Sequence, residues 1–411
     1  MIRNTNMKRI VLLTHTHLSR NPRLVKEIDA LQGDYELHVI YFHYFKDFRV
    51  FDEEIENKYP SVHFHAFKWT SKYGAERVAA TVSSKILSGL RRFNINVYPE
   101  QIMYPGYFSM LRMARSIKAD LYHGHNPAAL AVAVNAAKKN GALTTFDAED
   151  FHRGEYREPT KEKTLLTNLE DRYIPQLNLL LTSSPLIEKA YAQLYPGTNM
   201  QCILNAFPKK INGEQLKASG PALSMVWFSQ VVGKDRGLQD IFRGMDKISS
   251  PGLHLSIIGE VSEQNRKYFE ALLAPGSAHT IAFRGVISPD ALEEEIGRHD
   301  IGIASETGST VNRQYCLTNK LFSYLQCGLA LLLSDTQAQK EFYEAHASIG
   351  FMYKINDADS VCRQLEKWLQ DPALLARQKA AARCLGETSL NWENEKEKLT
   401  RTLDQLFAGC L

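Results

Sequence analysis

The sequence predicts an α/β protein with two domains, each built on a mostly parallel sheet covered by helices on both faces. Three observations support this fold class. The chain has 411 residues, more than one hydrophobic core usually serves. Its composition, 44% hydrophobic and 23% charged, is that of a globular protein. Short apolar runs alternate with helical patterns, which is typical of parallel strands joined by helical crossovers.

Apolar runs predict the strands of the first half, and the amphipathic stretches between them predict its helices. The predicted strands lie at residues 9–14, 35–42, 62–67, 120–123, 143–147, 178–182 and 201–204. The predicted helices lie at residues 22–31, 76–90, 107–117, 127–139, 161–173 and 185–194. Pro22 opens the first helix, where its missing N–H removes no helical hydrogen bond.

Residues 205–221 interrupt this alternation. They include Pro208, Gly213, Gly220 and Pro221 and show no apolar periodicity, so they predict a linker. Beyond it, the predicted strands lie at residues 223–228, 253–258, 279–283, 301–304 and 329–333. The predicted helices lie at residues 238–248, 263–273, 289–297, 319–327, 337–347, 358–370, 374–384 and 392–407. We expect domains over residues 1–205 and 206–388 and a terminal helix within residues 389–411.

Composition and charge exclude several classes of protein. A net charge of +3 is too small for a nucleic-acid binder. The six cysteines are scattered without a C-x-x-C pair, which argues against a zinc module or a disulfide framework and favours the cytoplasm. No apolar run reaches the ~20 residues of a membrane span, and the charged N-terminus is unlike a secretory signal.

A basic stretch over residues 68–92 leaves two interpretations open. It contains six basic residues and one acid, namely Lys68, Lys72, Arg77, Lys85, Arg91, Arg92 and Glu76. A solvated helix face is the favoured interpretation. The alternative is peripheral contact with the anionic cytoplasmic face of a membrane, to which each basic residue adds about 1 kcal/mol.

The loop at residues 229–238 predicts an anion site. It reads S-Q-V-V-G-K-D-R-G-L between a strand and a helix, where backbone N–H groups and the helix dipole favour an anion. Gly233 and Gly237 let the backbone approach a ligand closely, and Lys234 and Arg236 supply positive charge. An ordinary loop with turn glycines and surface charges is the alternative.

Lys320 lies at the start of a second helix, in the segment T-N-K-L-F-S-Y-L-Q-C-G-L-A at residues 318–330. A cation beside the positive end of a helix dipole is unfavourable unless an anion shares the site. The two helix starts therefore predict a cradle for a diphosphate.

His125 follows a strand of the first half in H-G-H-N-P, at the sheet edge where ligands bind in open α/β folds. A loop histidine satisfied by backbone groups is the alternative. Three H-x-H pairs occur, at residues 15/17, 63/65 and 123/125, and strand alternation places each pair on one face. We expect no metal site, because no cysteine, H-x-x-x-H pattern or clustered acid accompanies these pairs.

The second-half segments S-Q-V-V-G-K-D-R-G-L, F-R-G-V-I-S-P-D-A-L and N-K-L-F-S-Y-L resemble the nucleotide-sugar half of the GT-B-fold retaining glycosyltransferases of the family-4 type. Sucrose synthase and phosphatidylinositol mannosyltransferase belong to that family. The resemblance implies two Rossmann-like parallel-sheet domains facing across a cleft, with a C-terminal helix crossing back to the first domain.

The resemblance also implies a donor site. In the family, an Arg and a Lys six residues later grip the diphosphate, and Gln230 and Arg236 stand at those positions. Ser323 stands where the family has a ribose-binding Glu, and Glu306 is the acid nearest to the family's sugar-binding Glu. The implied donor-binding residues are Gln230, Gly233, Arg236, Gly237, Arg284, Val286, Glu306, Asn319, Lys320 and Ser323.

In the first half, H-G-H-N-P matches the family's H-x-H-[DEN]-P, so His125 inherits the role of facing the reacting sugar. Glu149 stands where relatives have the His of D-A-H-E, and Asn21-Pro22-Arg23 matches a D-P-R triplet. The resemblance therefore implies acceptor binding by Asn21, Arg23 and Glu149 and catalysis by His125, Arg236 and Lys320.

We therefore expect a metal-independent retaining glycosyltransferase without a cofactor. Its donor would be a UDP- or GDP-sugar, and its acceptor a glycan, a lipid-linked glycan or a small molecule. Two alternatives stay open: a nucleotide-sugar epimerase of the same fold, and a non-catalytic sugar-nucleotide-binding protein, which Gln230 and Ser323 would suit. A nicotinamide dehydrogenase is disfavoured, because no G-x-G-x-x-G follows a predicted strand.

Overall fold

Two parallel sheets, one in each half of the chain, form the framework of the structure. The computed structural model describes residues 7–69, 74–90, 98–209 and 223–411. The chain divides into two units, one formed by Met1–Ile203 with Lys396–Leu411 and the other by Leu204–Glu395. The prediction of two α/β domains with parallel sheets is confirmed.

The sheet of the first unit has seven parallel strands in the order β3-β2-β1-β4-β5-β6-β7. Its strands are β1 (Arg9–Thr14), β2 (Glu36–His43), β3 (His63–Lys68), β4 (Leu121–His125), β5 (Leu143–Ala148), β6 (Leu179–Thr182) and β7 (Met200–Cys202). The central strands are buried because crossover helices cover both faces of a parallel sheet. The register pairs Thr14 with His125 and His125 with Asp147, so three polar side chains meet at the carboxyl edge.

In the part of the first unit that the structure describes, eight α-helices connect these strands. They are α1 (Pro22–Leu31), α2 (Arg49–Lys58), α3 (Ala75–Leu90), α4 (Pro99–Met103), α5 (Tyr107–Ser116), α6 (Pro127–Asn140), α7 (Lys161–Tyr173) and α8 (Pro185–Leu194). Local sequence fixes their ends. Asn21 caps α1 by accepting a hydrogen bond from the Leu24 N–H at 3.1 Å, and Gly141 ends α6 in the left-handed conformation that glycine tolerates.

The sheet of the second unit has six parallel strands in the order β10-β9-β8-β11-β12-β13. Its strands are β8 (Ser224–Val231), β9 (His254–Glu260), β10 (Thr280–Phe283), β11 (Ile301–Ala304), β12 (Ala330–Ser334) and β13 (Gly350–Tyr353). Trp227 and Phe242 are fully buried in the apolar core that this sheet forms with its helices.

The remaining helices are α9 (Leu238–Asp246), α10 (Glu263–Glu270), α11 (Pro289–Gly297), α12 (Val311–Tyr315), α13 (Asn319–Gln326), α14 (Gln337–Ala345), α15 (Ala358–Gln370), α16 (Pro372–Thr388) and α17 (Trp392–Phe407). From Lys396 onward, α17 belongs to the first unit, where Leu399 and Leu403 are buried. No helix within the described ranges combines the length and apolar character that crossing a bilayer requires.

Four observed elements, α2, α4, α12 and β13, are missing from the sequence prediction. Helix α2 buries only Asp52, so its sequence carries no apolar stripe to reveal it. The other three are only four or five residues long. The predicted linker lies outside the described residues from position 210 onward, as do Lys72, Arg91 and Arg92 of the basic stretch.

Candidate active site

The carboxyl edge of the first sheet carries a buried cluster of acids and histidines. His123 and His125 lie on one face of β4, and Glu27 of α1 reaches both. Its Oε2 atom lies 3.1 Å from Nε2 of His123 and 3.0 Å from Nε2 of His125. The three side chains are almost completely excluded from solvent. We refer to Glu27, His125, Asp147 and Glu149 as the His125 network.

The carboxylates around His125 favour its protonated form. Burial alone would lower its pKa, but Glu27 on one side and Asp147 and Glu149 on the other raise that pKa well above 6.5. For Glu27, burial favours the neutral acid, yet His125 and His123 hold its pKa well below 4.5. The cluster is therefore an imidazolium–carboxylate pair at neutral pH, and His125 acts there as a cation.

Asp147 links this cluster to Arg23. The Arg23 guanidinium binds both carboxylate oxygens of Asp147 and donates a third hydrogen bond to the Ile203 carbonyl at 2.8 Å. Asn21 is also buried, where it caps α1. The structure thus buries two of the three predicted acceptor ligands, Asn21 and Arg23, inside the first unit, with their polar groups bound to protein atoms.

Glu149 is the member of the network that reaches solvent. Its side chain is 26% exposed, and its Oε1 lies 3.4 Å from Nδ1 of His125. Both ring nitrogens of His125 face carboxylates, so Glu149 is better placed than His125 to meet a substrate hydroxyl.

Burial and the nearby Arg23 lower the pKa of Lys26, on the same helix as Glu27, to about 7.

In the second unit, the starts of α9 and α13 converge on Ser305 and Glu306, directly after β11. Gly237 precedes α9 with a φ of 76°, and a Cβ at this position would lie 3.2 Å from the Cβ of Ser305 and 3.3 Å from the backbone N of Glu306. The Ser305 hydroxyl donates to the Arg236 carbonyl at 2.8 Å and accepts from the Trp227 indole N–H at 3.0 Å. The loop and the end of β11 are thereby held together, and the close approach of this backbone to a ligand stays a prediction.

Glu306 forms ion pairs with two basic side chains. Lys320, in the first turn of α13, donates to Glu306 Oε1 at 2.8 Å, and Arg313 of α12 donates to Oε2 at 2.9 Å. Arg313 also lies 3.3 Å from Asp235 in the loop that precedes α9. Glu306 and Lys320 are buried. A protein carboxylate therefore lies beside Lys320, where the sequence predicted an anion.

Arg236 stands apart from this ion-pair cluster. Its side chain is half-buried, and within the described ranges its guanidinium makes no hydrogen bond or ion pair with another residue. Gln230 is exposed near the end of β8, and Gly233 follows it at the start of the loop. Arg236 lies two residues before the start of α9, and a guanidinium without an anionic partner among the described residues is available to bind an anion.

The other predicted donor-site residues occupy varied surroundings. The Asn319 side chain accepts a hydrogen bond from Asn205 at 2.7 Å, and Ser323 is buried within α13. Beyond β10, Arg284 lies 3.4 Å from Glu295, while Val286 is 74% exposed. Their assignment to a nucleotide site stays a prediction.

Sequence reasoning missed Glu27, Asp147 and Arg313 as members of these clusters. Glu27 lies in a helix and Arg313 in a short helix that was not predicted. No sequence spacing links Glu27 or Arg313 to its partner, because each contact joins two different secondary-structure elements. The one available signal was Asp147, the second-last residue of β5, which is the strand that pairs with the H-x-H strand β4.

Ligand atoms of Glu27, His123 and His125 lie within 4.8 Å of one another, so these residues could hold a metal ion, as could His125 with Asp147 and Glu149. The raised pKa of His125 favours ion pairing with the acids over metal binding, because a metal needs the neutral imidazole.

Comparison with known proteins shows a family and several structures that this chain resembles. Residues 236–399 match the family described as Glycosyl transferase-like. No curated protein sequence matches the chain. Most of the second unit is therefore similar in sequence to glycosyl transferase-like domains.

Solved structures match over nearly the whole chain. HepE from Anabaena, in complex with UDP-glucose, has a TM-score of 0.69 at 13% identity, covering 97% of this chain and 100% of that one. Sucrose-phosphate synthase from Thermosynechococcus elongatus has a TM-score of 0.68 at 12% identity, covering 98% and 100%. TarM from S. aureus, with UDP and α-GlcNAc-glycerol among its ligands, has a TM-score of 0.66 at 10% identity, covering 98% and 100%. The chain has the GT-B fold of these glycosyltransferases.

Proposed function

We propose that this protein is a retaining glycosyltransferase that moves a sugar from a UDP- or GDP-sugar to a glycan, lipid-linked or small-molecule acceptor. The second unit would bind the donor and the first unit the acceptor. The observation that carries the proposal is Arg236, just before α9, whose guanidinium has no ion-pair partner among the described residues and which adjoins the contact of Gly237 with Ser305 and Glu306.

The proposed donor site holds the diphosphate through Arg236 and the N–H groups at the starts of α9 and α13. Lys320 adds a second cation, oriented by its 2.8 Å hydrogen bond to Glu306. Glu306 and Arg313 are then positioning residues, because they fix Lys320 and the loop instead of touching phosphate. The ribose and base would lie near Asn319, Ser323, Arg284 and Val286, with Gln230 and Gly233 lining the loop.

The reaction breaks the bond between the anomeric carbon and the diphosphate oxygen, and the electron pair leaves with the diphosphate. The acceptor oxygen forms the new bond to the same carbon, through an oxocarbenium-like transition state of the kind seen in glycoside hydrolysis. Arg236 and Lys320 stabilise the developing negative charge, which is commonly the largest contribution to catalysis. These cations perform the role for which other transferases use a metal.

In the first unit, Glu149 would accept a hydrogen bond from the acceptor hydroxyl and take up its proton or relay it to the leaving phosphate. His125 would hold the Glu149 carboxylate and contribute a fixed positive charge beside the reacting sugar. Asn21 would hold the start of α1 as its cap, and Arg23 would hold Asp147 in place through their ion pair.

The ligands of the similar structures support a uridine nucleotide. Both the HepE and the TarM structures are complexes with UDP. We therefore place UDP-sugars first among donors to test, with GDP-sugars second.

We further propose that the protein rests on an anionic membrane surface through α3. Val78, Val82 and Ile86, spaced four residues apart on this helix, are 41%, 49% and 59% exposed. Lys85 lies beside them, and the small polar Ser84 instead packs toward α4, donating to the Ile102 carbonyl at 3.1 Å. An exposed apolar stripe flanked by cations is typical of helices that lie in a membrane interface.

The activity is tested by incubating the protein with radiolabelled UDP- and GDP-sugars, with and without a panel of glycan and lipid-linked acceptors. Transfer to an acceptor with the anomeric configuration retained supports the proposal, and activity that persists with chelator supports metal independence. Conversion to an epimeric sugar nucleotide without acceptor would instead identify the epimerase. Tight nucleotide binding without turnover would identify a binding protein.

A further inference from the structure

A second cluster of histidines lies at the amino ends of two strands of the first sheet. His38 lies near the start of β2, and His63 and His65 lie at the start of the neighbouring strand β3. The parallel register pairs His38 directly with His63, so their side chains share one face of the sheet. Glu36, two residues before His38, projects on the same face. The four side chains lie at the amino ends of the strands, whereas His125 lies at a carboxyl end.

In this cluster, nitrogen atoms of two histidine rings lie close to the carboxylate of Glu36. Nε2 of His38 lies 3.3 Å and Nε2 of His63 lies 4.0 Å from Oε1 of Glu36. The His38 and His63 rings stack with centroids 4.6 Å apart. Ligand atoms of all three residues fall within 4.8 Å of one another, a spacing that one metal ion can bridge after small side-chain rotations.

His65 supplies the outer partner that a metal-binding histidine needs. Its Nε2 lies 3.0 Å from Nδ1 of His38, and the two rings are nearly parallel. When Nδ1 of His38 donates its proton to His65, the Nε2 lone pair of His38 faces Glu36 and His63. Such second-shell hydrogen bonds fix the tautomer of the ligand.

We propose that Glu36, His38 and His63 form a binding site for a divalent transition metal, with Zn²⁺ as the ion to test and His65 as the outer partner of His38. Two imidazoles and one carboxylate are a common zinc ligand set, and a water molecule would complete the tetrahedron. The site would tie the edge strand β3 to β2.

One charged side chain competes with a metal ion for this site. Arg9 is the opposing charge, with Nη2 3.0 Å from Glu36, so an incoming ion has to share this carboxylate with a guanidinium.

The sequence alone did not predict this site. The H-x-H pair at residues 63 and 65 offered no third ligand nearby in the chain. The missing ligands come from β2, more than twenty residues earlier, and become neighbours only through the strand pairing. The inference is independent of the proposed transferase activity, because the two sites lie at opposite ends of the strands.

The test is Zn²⁺ titration of the full chain after chelator treatment, by competition with a chromophoric chelator. Wild type should bind one Zn²⁺ that the His38→Ala/His63→Ala variant does not bind. His63→Ala and His38→Ala should each weaken this binding by more than 10-fold, and His65→Ala by about 10- to 100-fold. His346→Ala, a change in the second unit outside any histidine–acid cluster of the described chain, should bind as wild type does.

Co²⁺ provides a second readout, because its visible absorption reports the ligands directly. Wild type should give a tetrahedral Co²⁺ spectrum that the double variant lacks. An unchanged Zn²⁺ stoichiometry and affinity in the double variant would overturn the proposal and assign any bound metal to the buried cluster around His125 or to the buried cluster of His17, His43 and Asp52. Zn²⁺ binding no tighter in wild type than in the double variant would overturn it equally.

Discussion

At the residue scale, Glu27 decides the chemistry of the first unit. It is the only acid that touches both histidines of H-G-H among the described residues, and it lies on a different element. With its pKa held below 4.5 and that of His125 raised above 6.5, the pair is charged throughout the neutral range. A histidine in this state is a fixed cation and cannot serve as a general base.

Glu27→Gln tests this ion pair. Breaking a buried pair by removing one partner costs about 3–5 kcal/mol, so the free energy of unfolding should fall by that order at pH 7. The stabilisation by Glu27 is present above pH 4.5 and lost as pH falls through its lowered pKa, so wild type and variant should converge in acid. Urea unfolding between pH 3 and 8 measures both effects.

The matched control for Glu27→Gln is Glu397→Gln. Glu397 forms an exposed ion pair with Arg401 on α17, and exposed pairs contribute little to stability. This variant should unfold like wild type at every pH. If Glu27→Gln did the same, the buried ion pair could not be what fixes the state of His125.

Lys320 shows how far single residues can be predicted. Its place in the first turn of a helix indicated a nearby anion, and the structure supplies Glu306 at 2.8 Å. The sequence named both residues as donor-site members, but for different partners. Their mutual hydrogen bond could not be predicted, because it joins the end of β11 to the start of α13.

At the element scale, the start of α9 depends on Gly237. Its positive φ costs an L-residue about 1–2 kcal/mol, and the space beside it is filled by Ser305 and Glu306. Gly237→Ala should therefore destabilise the protein by more than the backbone cost alone and weaken nucleotide binding, because Glu306 has to move. Thermal unfolding and nucleotide titration measure the two effects.

Gly276→Ala isolates the backbone part of that effect. Gly276 has a φ of 80°, almost the same as Gly237, but nothing lies within 4 Å of its added Cβ. This variant should lose about 1 kcal/mol and bind nucleotide normally. Equal stability and equal binding in the two variants would show that the close contact at Gly237 does not matter.

Helix α3 carries the prediction about membranes. Burying an exposed Val or Ile in an apolar medium contributes about 1.5–3 kcal/mol at full burial, so Val82→Ser/Ile86→Ser should reduce vesicle binding by at least 10-fold. Sedimentation with vesicles of phosphatidylcholine and phosphatidylglycerol measures this. Leu194→Ser, at the equally exposed end of α8, should leave binding intact. Equal binding of all three proteins, or no binding by wild type, would leave α3 as a solvated helix.

At the scale of the whole molecule, the fold was predictable and much of the site was not. Apolar runs such as Leu329–Leu333 and helix-start residues such as Pro22 are local signals, and they placed the strands and most helices within a few residues. Strand order, which brings His125 beside Asp147 and His38 beside His63, depends on pairing between distant segments. A single sequence contains the members of these clusters but not their proximity.

The two sheets divide the proposed work between the units. The second unit, with its glycosyl transferase-like sequence, carries the cations suited to a diphosphate, and the first carries a network with one partly exposed acid, Glu149. The zinc site proposed at the amino edge of the first sheet would act on stability without entering the reaction.

The central claim is that Arg236 and the adjoining helix starts bind a nucleoside diphosphate, and isothermal titration with UDP and GDP tests it most directly. Wild type should bind at least one of them, and Arg236→Ala should weaken binding by about 10- to 100-fold, as expected for the loss of a charged hydrogen bond. Lys234→Ala, which removes a cation that instead lies 3.9 Å from the Tyr268 ring centroid, should change the affinity less than threefold. Equal affinities in wild type and Arg236→Ala, or no binding of either nucleotide, would contradict the account.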